Sequence, residues 1–165
     1  MPIRQRPARA LGALLGGALV VTLGACGDDS GPERDETTNE VSEAGDADVF
    51  EIAVGDCLPD PDTAAGEVQE VPVVPCSEPH ASEVYFSHII EGDELPDAAA
   101  MEAIVNEQCM GNFESFVGLP FDQSALQVTW LQPTDGSWDA GDRELLCIVS
   151  DPAGGVTGSL SGVAR

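Results

Sequence analysis

Lysine is absent from all 165 residues, and six arginines stand against 30 acids, for a formal net charge of −24. A chain this negative repels phosphate backbones and anionic lipid headgroups, which excludes nucleic acid as a partner. Without lysine there is no Ser-x-x-Lys pair and no phosphate loop; GxSxG and the dinucleotide fingerprint are also missing. Only two histidines occur, and none of the spacings HExxH, paired CxxC or HxE…PCxxC is present. No cofactor, metal or catalytic residue is therefore expected. The chain also lacks an apolar run of the roughly 20 residues needed to span a bilayer. Its longest, Ala10 to Leu23, has 14.

That run has the flanks of an export signal. Arg4, Arg6 and Arg9 precede it, and Leu23-Gly24-Ala25-Cys26 closes it. Small residues before the cut and a cysteine after it are the pattern of a bacterial lipoprotein, with a diacylglycerol joined to Cys26. Residues 1–25 are thus expected to be a lipoprotein signal peptide. The remaining chain would be anchored by lipid to the extracytoplasmic face of the cell membrane, since two or more acyl chains hold firmly where one does not. Past Cys26, three arginines face all 30 acids. Residues 27–48 hold nine acids and almost no large apolar side chain, so 26–48 is expected to be an acidic, disordered tether. Residues 49–165 have the size of one ordinary domain.

Within that domain "VFEIAV" (49–54) alternates like a strand. "VQEVPVV" (68–74) is strand-like, with Pro72 favouring an edge. "SEVYFSHII" (82–90) is strongly β-prone and "ALQVTWL" (125–131) alternates, whereas "ELLCIVS" (144–150), apolar on both faces, reads as a central strand. A short last strand is expected over 156–160. Between the strand groups, Pro96 opens a helical stretch that Gly118 and Pro120 stop; Met101, Ile104, Val105, Cys109, Phe113 and Phe116 share one face. The fold class is α+β: a single small domain, an antiparallel sheet packed by one main helix, and two disulfides.

Four cysteines remain after Cys26, and an even number in an exported domain reads as a disulfide framework with three pairings open. Cys109 lies on the helix face that meets the sheet and Cys147 on the central strand, which favours Cys109–Cys147 and leaves Cys57–Cys76. Oxidation of Cys76 would remove the thiolate that a Cys76/His80 nucleophile needs. A metal site could be assembled from His80, Glu83 and His88, but His88 reads as a half-buried strand residue and His80 as a turn anchor. Arg143 is the only cation between Val49 and Ala164 and sits among Asp139, Asp142 and Glu144, five residues after Trp138. It would form an ion pair, stack on the indole, or recognise a carboxylate ligand. "DGSWDAGDRE" (135–144) has the aspartates of a calcium loop without their spacing.

Taken in order, "VGDCL" (54–58), "VPCSEPHASEVYF" (74–86), the helical Cys109 and "WDAGDRELLC" (138–147) resemble the septum formation domain family of actinobacterial lipoproteins and membrane proteins. The resemblance covers about 50–150. It implies a role around cell division with no activity or ligand attached, and places His80 and Arg143 in the shared architecture. The expected function is a non-enzymatic interaction module facing a division or envelope protein partner. The alternatives are a small-ligand lipoprotein with a pocket around Arg143, Trp138 and His80, and a wall hydrolase with two convergent carboxylates.

Overall fold

A computed structural model describes residues 31–60 and 68–165. The expected signal peptide and Cys26, the expected lipidation site, lie outside them. Among the described residues, six strands and three α-helices appear in the order β1 (Gly45–Asp48), β2 (Cys57–Leu58), β3 (Glu70–Val73), β4 (Ser82–Ile89), α1 (Ala98–Val105), α2 (Gly111–Val117), β5 (Gln127–Leu131), α3 (Asp135–Asp139) and β6 (Glu144–Ser150). The larger sheet is antiparallel with strand order β2-β4-β6-β5, and β1 pairs with β3 in a separate two-stranded sheet.

Alternation along β6 explains the layers. Leu145, Cys147 and Val149 face a core shared with the helix, while Leu146 and Ile148 face a second core built with Ala47, Val71 and Val73. The sheet therefore carries the helix on one face and the β1–β3 pair on the other. As expected, the strand that is apolar on both sides is interior.

The main helix runs for 20 residues, from α1 through a π-helical segment (Asn106–Met110) into α2. Asp97 caps its start by accepting from the Ala100 N–H at 2.9 Å. Gly118 ends it at φ 85°, a left-handed backbone that a β-carbon disfavours, and donates to the Glu114 carbonyl. Its buried residues, Met101, Val105, Cys109, Phe113 and Val117, recur every fourth position. At about 100° per residue each such step overshoots a full turn by about 40°. The wider π turn rotates less per residue and takes up part of that drift, so Cys109 still faces the sheet. Two carbonyls of this segment accept from side chains, Cys109 from the Tyr85 hydroxyl at 2.6 Å and Gln108 from Asn112 at 2.7 Å.

Both expected disulfides are present, Cys57–Cys76 and Cys109–Cys147, closing separations of 19 and 38 residues. Loop entropy alone makes these worth about 3 and 4 kcal/mol respectively.

Three local expectations need correction. Residues 49–54 do not form a strand: the Asp48 carboxylate accepts from the Phe50 N–H at 2.9 Å and caps a single 3-10 turn over Val49–Glu51. Residues 156–160 make one isolated bridge, Val156 to His80, and no strand. From residue 31 onward the presumed tether is part of the fold. β1 pairs in register with β3, Ala47 is fully buried, and Val41 joins the same core. Arg34 reaches back to Asp56 in a two-pronged ion pair, Nη1 to Oδ1 at 2.7 Å and Nη2 to Oδ2 at 2.8 Å. Composition predicted a tether because it counts side chains, whereas β1 contributes mainly backbone hydrogen bonds.

Asp56 is 2 % exposed, and its other described donor is the Ala53 N–H. Arg34→Ala leaves that carboxylate buried without its cation and should cost about 3 kcal/mol, seen as a lower urea midpoint at unchanged slope. An unchanged midpoint would return residues 31–48 to the status of a tether.

Candidate functional site

The stretch 74–86 closes one end of the larger sheet. Cys57 opens β2 and pairs directly across from Glu83 on β4, and its disulfide to Cys76 ties down the loop that leads to His80. With Cys76 oxidised, the Cys76/His80 nucleophile has no thiolate. His80 is fully enclosed. Its N–H donates to the Val156 carbonyl and its own carbonyl accepts from the Val156 N–H, at 2.9 and 2.8 Å. Nδ1 lies 2.8 Å from the Glu78 carbonyl, which can only accept, so Nδ1 carries the proton. Nε2 is buried without a hydrogen-bond partner among the described residues. The Glu83 carboxylate accepts from Ser159 Oγ at 2.8 and 3.0 Å and from the Leu160 N–H at 2.6 Å. His80 and Glu83 thus fasten the C-terminal segment, and Leu160 is buried in the helix-side core.

Trp138, Asp142 and Arg143 form a different corner. The short helix α3 begins with a reciprocal cap between Thr134 and Ser137. The Arg143 guanidinium stacks 3.7 Å from the Trp138 ring centroid, and its Nη1 donates to the Trp138 and Asp142 carbonyls at 2.7 and 2.6 Å. Asp142 accepts from Ser137 Oγ at 2.9 Å and from the Glu144 N–H at 3.0 Å. Of the roles open to Arg143, stacking on the indole is the one observed.

The two corners do not meet. His80 precedes β4, whereas the Arg143 carbonyl accepts from Ile90 just past its far end. Ten residues of extended chain separate them, roughly 30 Å. The expected pocket joining Arg143, Trp138 and His80 is therefore corrected: these side chains lie at opposite ends of one strand. His88 also stands apart from the His80–Glu83 pair, being partly exposed opposite Leu145.

A cleft of about 580 Å³ opens instead between the start of β3, β5 and α3. Phe50, Val68 and Leu131 give it an apolar wall, and Asp48, Asp142 and Glu144 give it an acidic rim. Phe50 is 64 % exposed, a large aromatic held in water by the Asp48-capped turn. Of these residues only Asp142 and Glu144 stood out in the sequence, as neighbours of Arg143. An aromatic beside two acids was the available signal, hidden by assigning 49–54 to a strand.

With the fold and both corners defined, comparison with known families gives one result. A family model described as septum formation matches residues 54–164. The chain belongs to the septum formation family. The matched span takes in both disulfides, His80, Glu83 and the Trp138–Arg143 corner, and the family's description ties the chain to septum formation or cell division. Asp48 and Phe50, which form one side of the cleft, precede that span. Neither a curated protein nor a solved structure matches the chain.

Burial pushes the Glu83 carboxyl above its usual range, against the Leu160 N–H, the Ser159 hydroxyl and His80, all of which favour its charge. A raised carboxyl contributes stability fully below its unfolded pKa and loses it as pH rises through the folded value. The stability of wild type minus that of Glu83→Gln should therefore fall across the carboxylate range and above it, measured by urea midpoints at stepped pH. A pH-independent difference would contradict burial as the dominant cause. At the other corner, Arg143→Ala removes a stacked cation and two hydrogen bonds, costing about 2 kcal/mol and changing indole emission. Intact stability would instead mark Arg143 as a ligand-facing residue.

Proposed function

We propose that this chain is a lipid-anchored, non-enzymatic interaction module on the outer face of the cytoplasmic membrane, serving septum formation. The observation that carries the proposal is the cleft: an exposed phenylalanine and an apolar wall under an acidic rim. Such a surface suits a protein segment that presents an apolar side chain flanked by arginine or lysine, with charge steering the encounter and burial supplying affinity. Family membership supports the division context, and the Leu23-Gly24-Ala25-Cys26 pattern supports the anchor. A non-catalytic role fits the commitments of the reactive side chains: the four domain cysteines are paired, and the Tyr85 hydroxyl is bound to a backbone carbonyl.

The test is localisation in live dividing cells of the C-terminally tagged chain, beside Cys26→Ala and Phe50→Asp variants. Enrichment at the septum that disappears in Cys26→Ala is the expected result. Uniform membrane signal together with normal septa on depletion would remove the division role. Phe50→Asp should keep the fold and the membrane attachment while losing septal enrichment several-fold. Undiminished enrichment would remove the cleft as the docking surface.

A further inference from the structure

The corner at Cys57 holds more ligand chemistry than a structural staple needs. The Cys57 sulfur, a His80 ring nitrogen and a Glu83 carboxylate oxygen all lie within 4.8 Å of one another, and all three residues are buried. The Cys76 sulfur is bonded to that of Cys57 and so belongs to the same cluster. We propose that this corner is a redox-gated site for a borderline-soft divalent cation, zinc in particular. The oxidised protein holds a disulfide there. The reduced protein would hold the cation between the Cys57 and Cys76 thiolates, His80 Nε2 and Glu83.

Four observations carry this. First, Nε2 is a buried lone pair with no hydrogen-bond partner, whereas nearly all buried polar atoms are paired. Second, the supporting contacts of a metal centre are already in place. The Nδ1 proton is held by the Glu78 carbonyl, which fixes the tautomer that leaves Nε2 free to coordinate. The Glu83 carboxylate is oriented by Ser159 and the Leu160 N–H, and an oxygen that accepts one or two hydrogen bonds can still donate a lone pair. Third, two thiolates, one imidazole and one carboxylate form a four-ligand set that zinc accepts in tetrahedral geometry. Fourth, Cys76 is partly exposed and Cys57 fully enclosed, so exchange begins on the outer sulfur and releases the inner one beside His80 and Glu83.

The reductant is an external dithiol. Its thiolate attacks the Cys76 sulfur, the Cys57–Cys76 bond breaks, and the electron pair leaves on Cys57. The second thiol of the reductant then displaces Cys76 and closes its own disulfide. Two electrons reach the protein, and two thiols result. Zinc binding displaces one proton from each thiol, so metal uptake weakens as pH falls. The cation would replace the covalent link between β2 and the loop at Cys76 with a coordinate one, keeping the C-terminal segment fastened through His80 and Glu83.

The experiment uses Co2+ as probe with residues 27–165, oxidised and after reduction by a phosphine that is then removed. Reduced wild type should bind one equivalent, with thiolate-to-cobalt charge transfer in the near ultraviolet and tetrahedral d–d bands; the oxidised protein should show neither. His80→Asn and Cys57→Ala should each bind at least tenfold more weakly, while the Cys109→Ala/Cys147→Ala double variant, if folded by circular dichroism, should bind like wild type. Reduced wild type that takes up no Co2+, folded or unfolded, overturns the proposal. So does equal binding by the oxidised protein, or undiminished binding by His80→Asn. Zn2+ displacing the cobalt spectrum stoichiometrically completes the expected result.

Discussion

The architecture depends on β6 being buried on both faces. A strand reading Leu-Leu-Cys-Ile-Val has no solvent side, so it needs a neighbour on each edge and a cover above and below. Helical residues at fourth positions supply one cover. The other has to come from β1 and β3, and the domain has few apolar residues to give them. Val71, Val73, Ala47 and Val41 suffice because the second layer is only two strands wide. The acidic N-terminal segment is drawn into the fold because the far side of β6 would otherwise face water.

Charge then decides how that segment is held. With no lysine available, Arg34 is the cation that pairs with Asp56, and it does so with both prongs. Apart from Glu83, which Ser159 and Leu160 hold in the interior, the other described acids keep at least part of their surface in water, which screens them. Their excess is also what colours the cleft: Asp48, Asp142 and Glu144 rim a wall left open where the small β1–β3 layer stops short of α3. The gap follows from covering a five-residue edge strand and a short helix with four-residue strands.

Legibility in the sequence followed the range of the interactions. The central strand, the main helix and the two disulfides were readable because each rests on a period or on a residue class with few roles. Cys109 and Cys147 could be paired from the helix face and the strand that carry them. The stacking of Arg143 on Trp138 was readable as one option because five residues separate them. What failed was long-range or backbone-borne. β1 has no hydrophobic signature, since its contribution is hydrogen bonds and one alanine. The distance between His80 and Arg143 is invisible until β4 is seen to run between them. The cleft takes its walls from three elements and could not be assembled from any one stretch.

His80 shows why a single histidine in a strand-entry loop deserved two readings. As a turn anchor it needs only Nδ1 and its backbone, and both are used. The other ring nitrogen then becomes a cost, since a buried acceptor without a donor forfeits its hydration. Placing that imidazole beside a carboxylate already held by Ser159 and Leu160, and beside the described disulfide whose Cys76 is partly exposed, is a poor solution for stability alone. An apolar residue at 80 would pair with Val156 through the same backbone atoms and leave no buried ring nitrogen without a partner, at the loss only of the donor to the Glu78 carbonyl. The arrangement is economical only if Nε2 has a partner in some state of the protein, and opening the disulfide is the change that supplies one within reach.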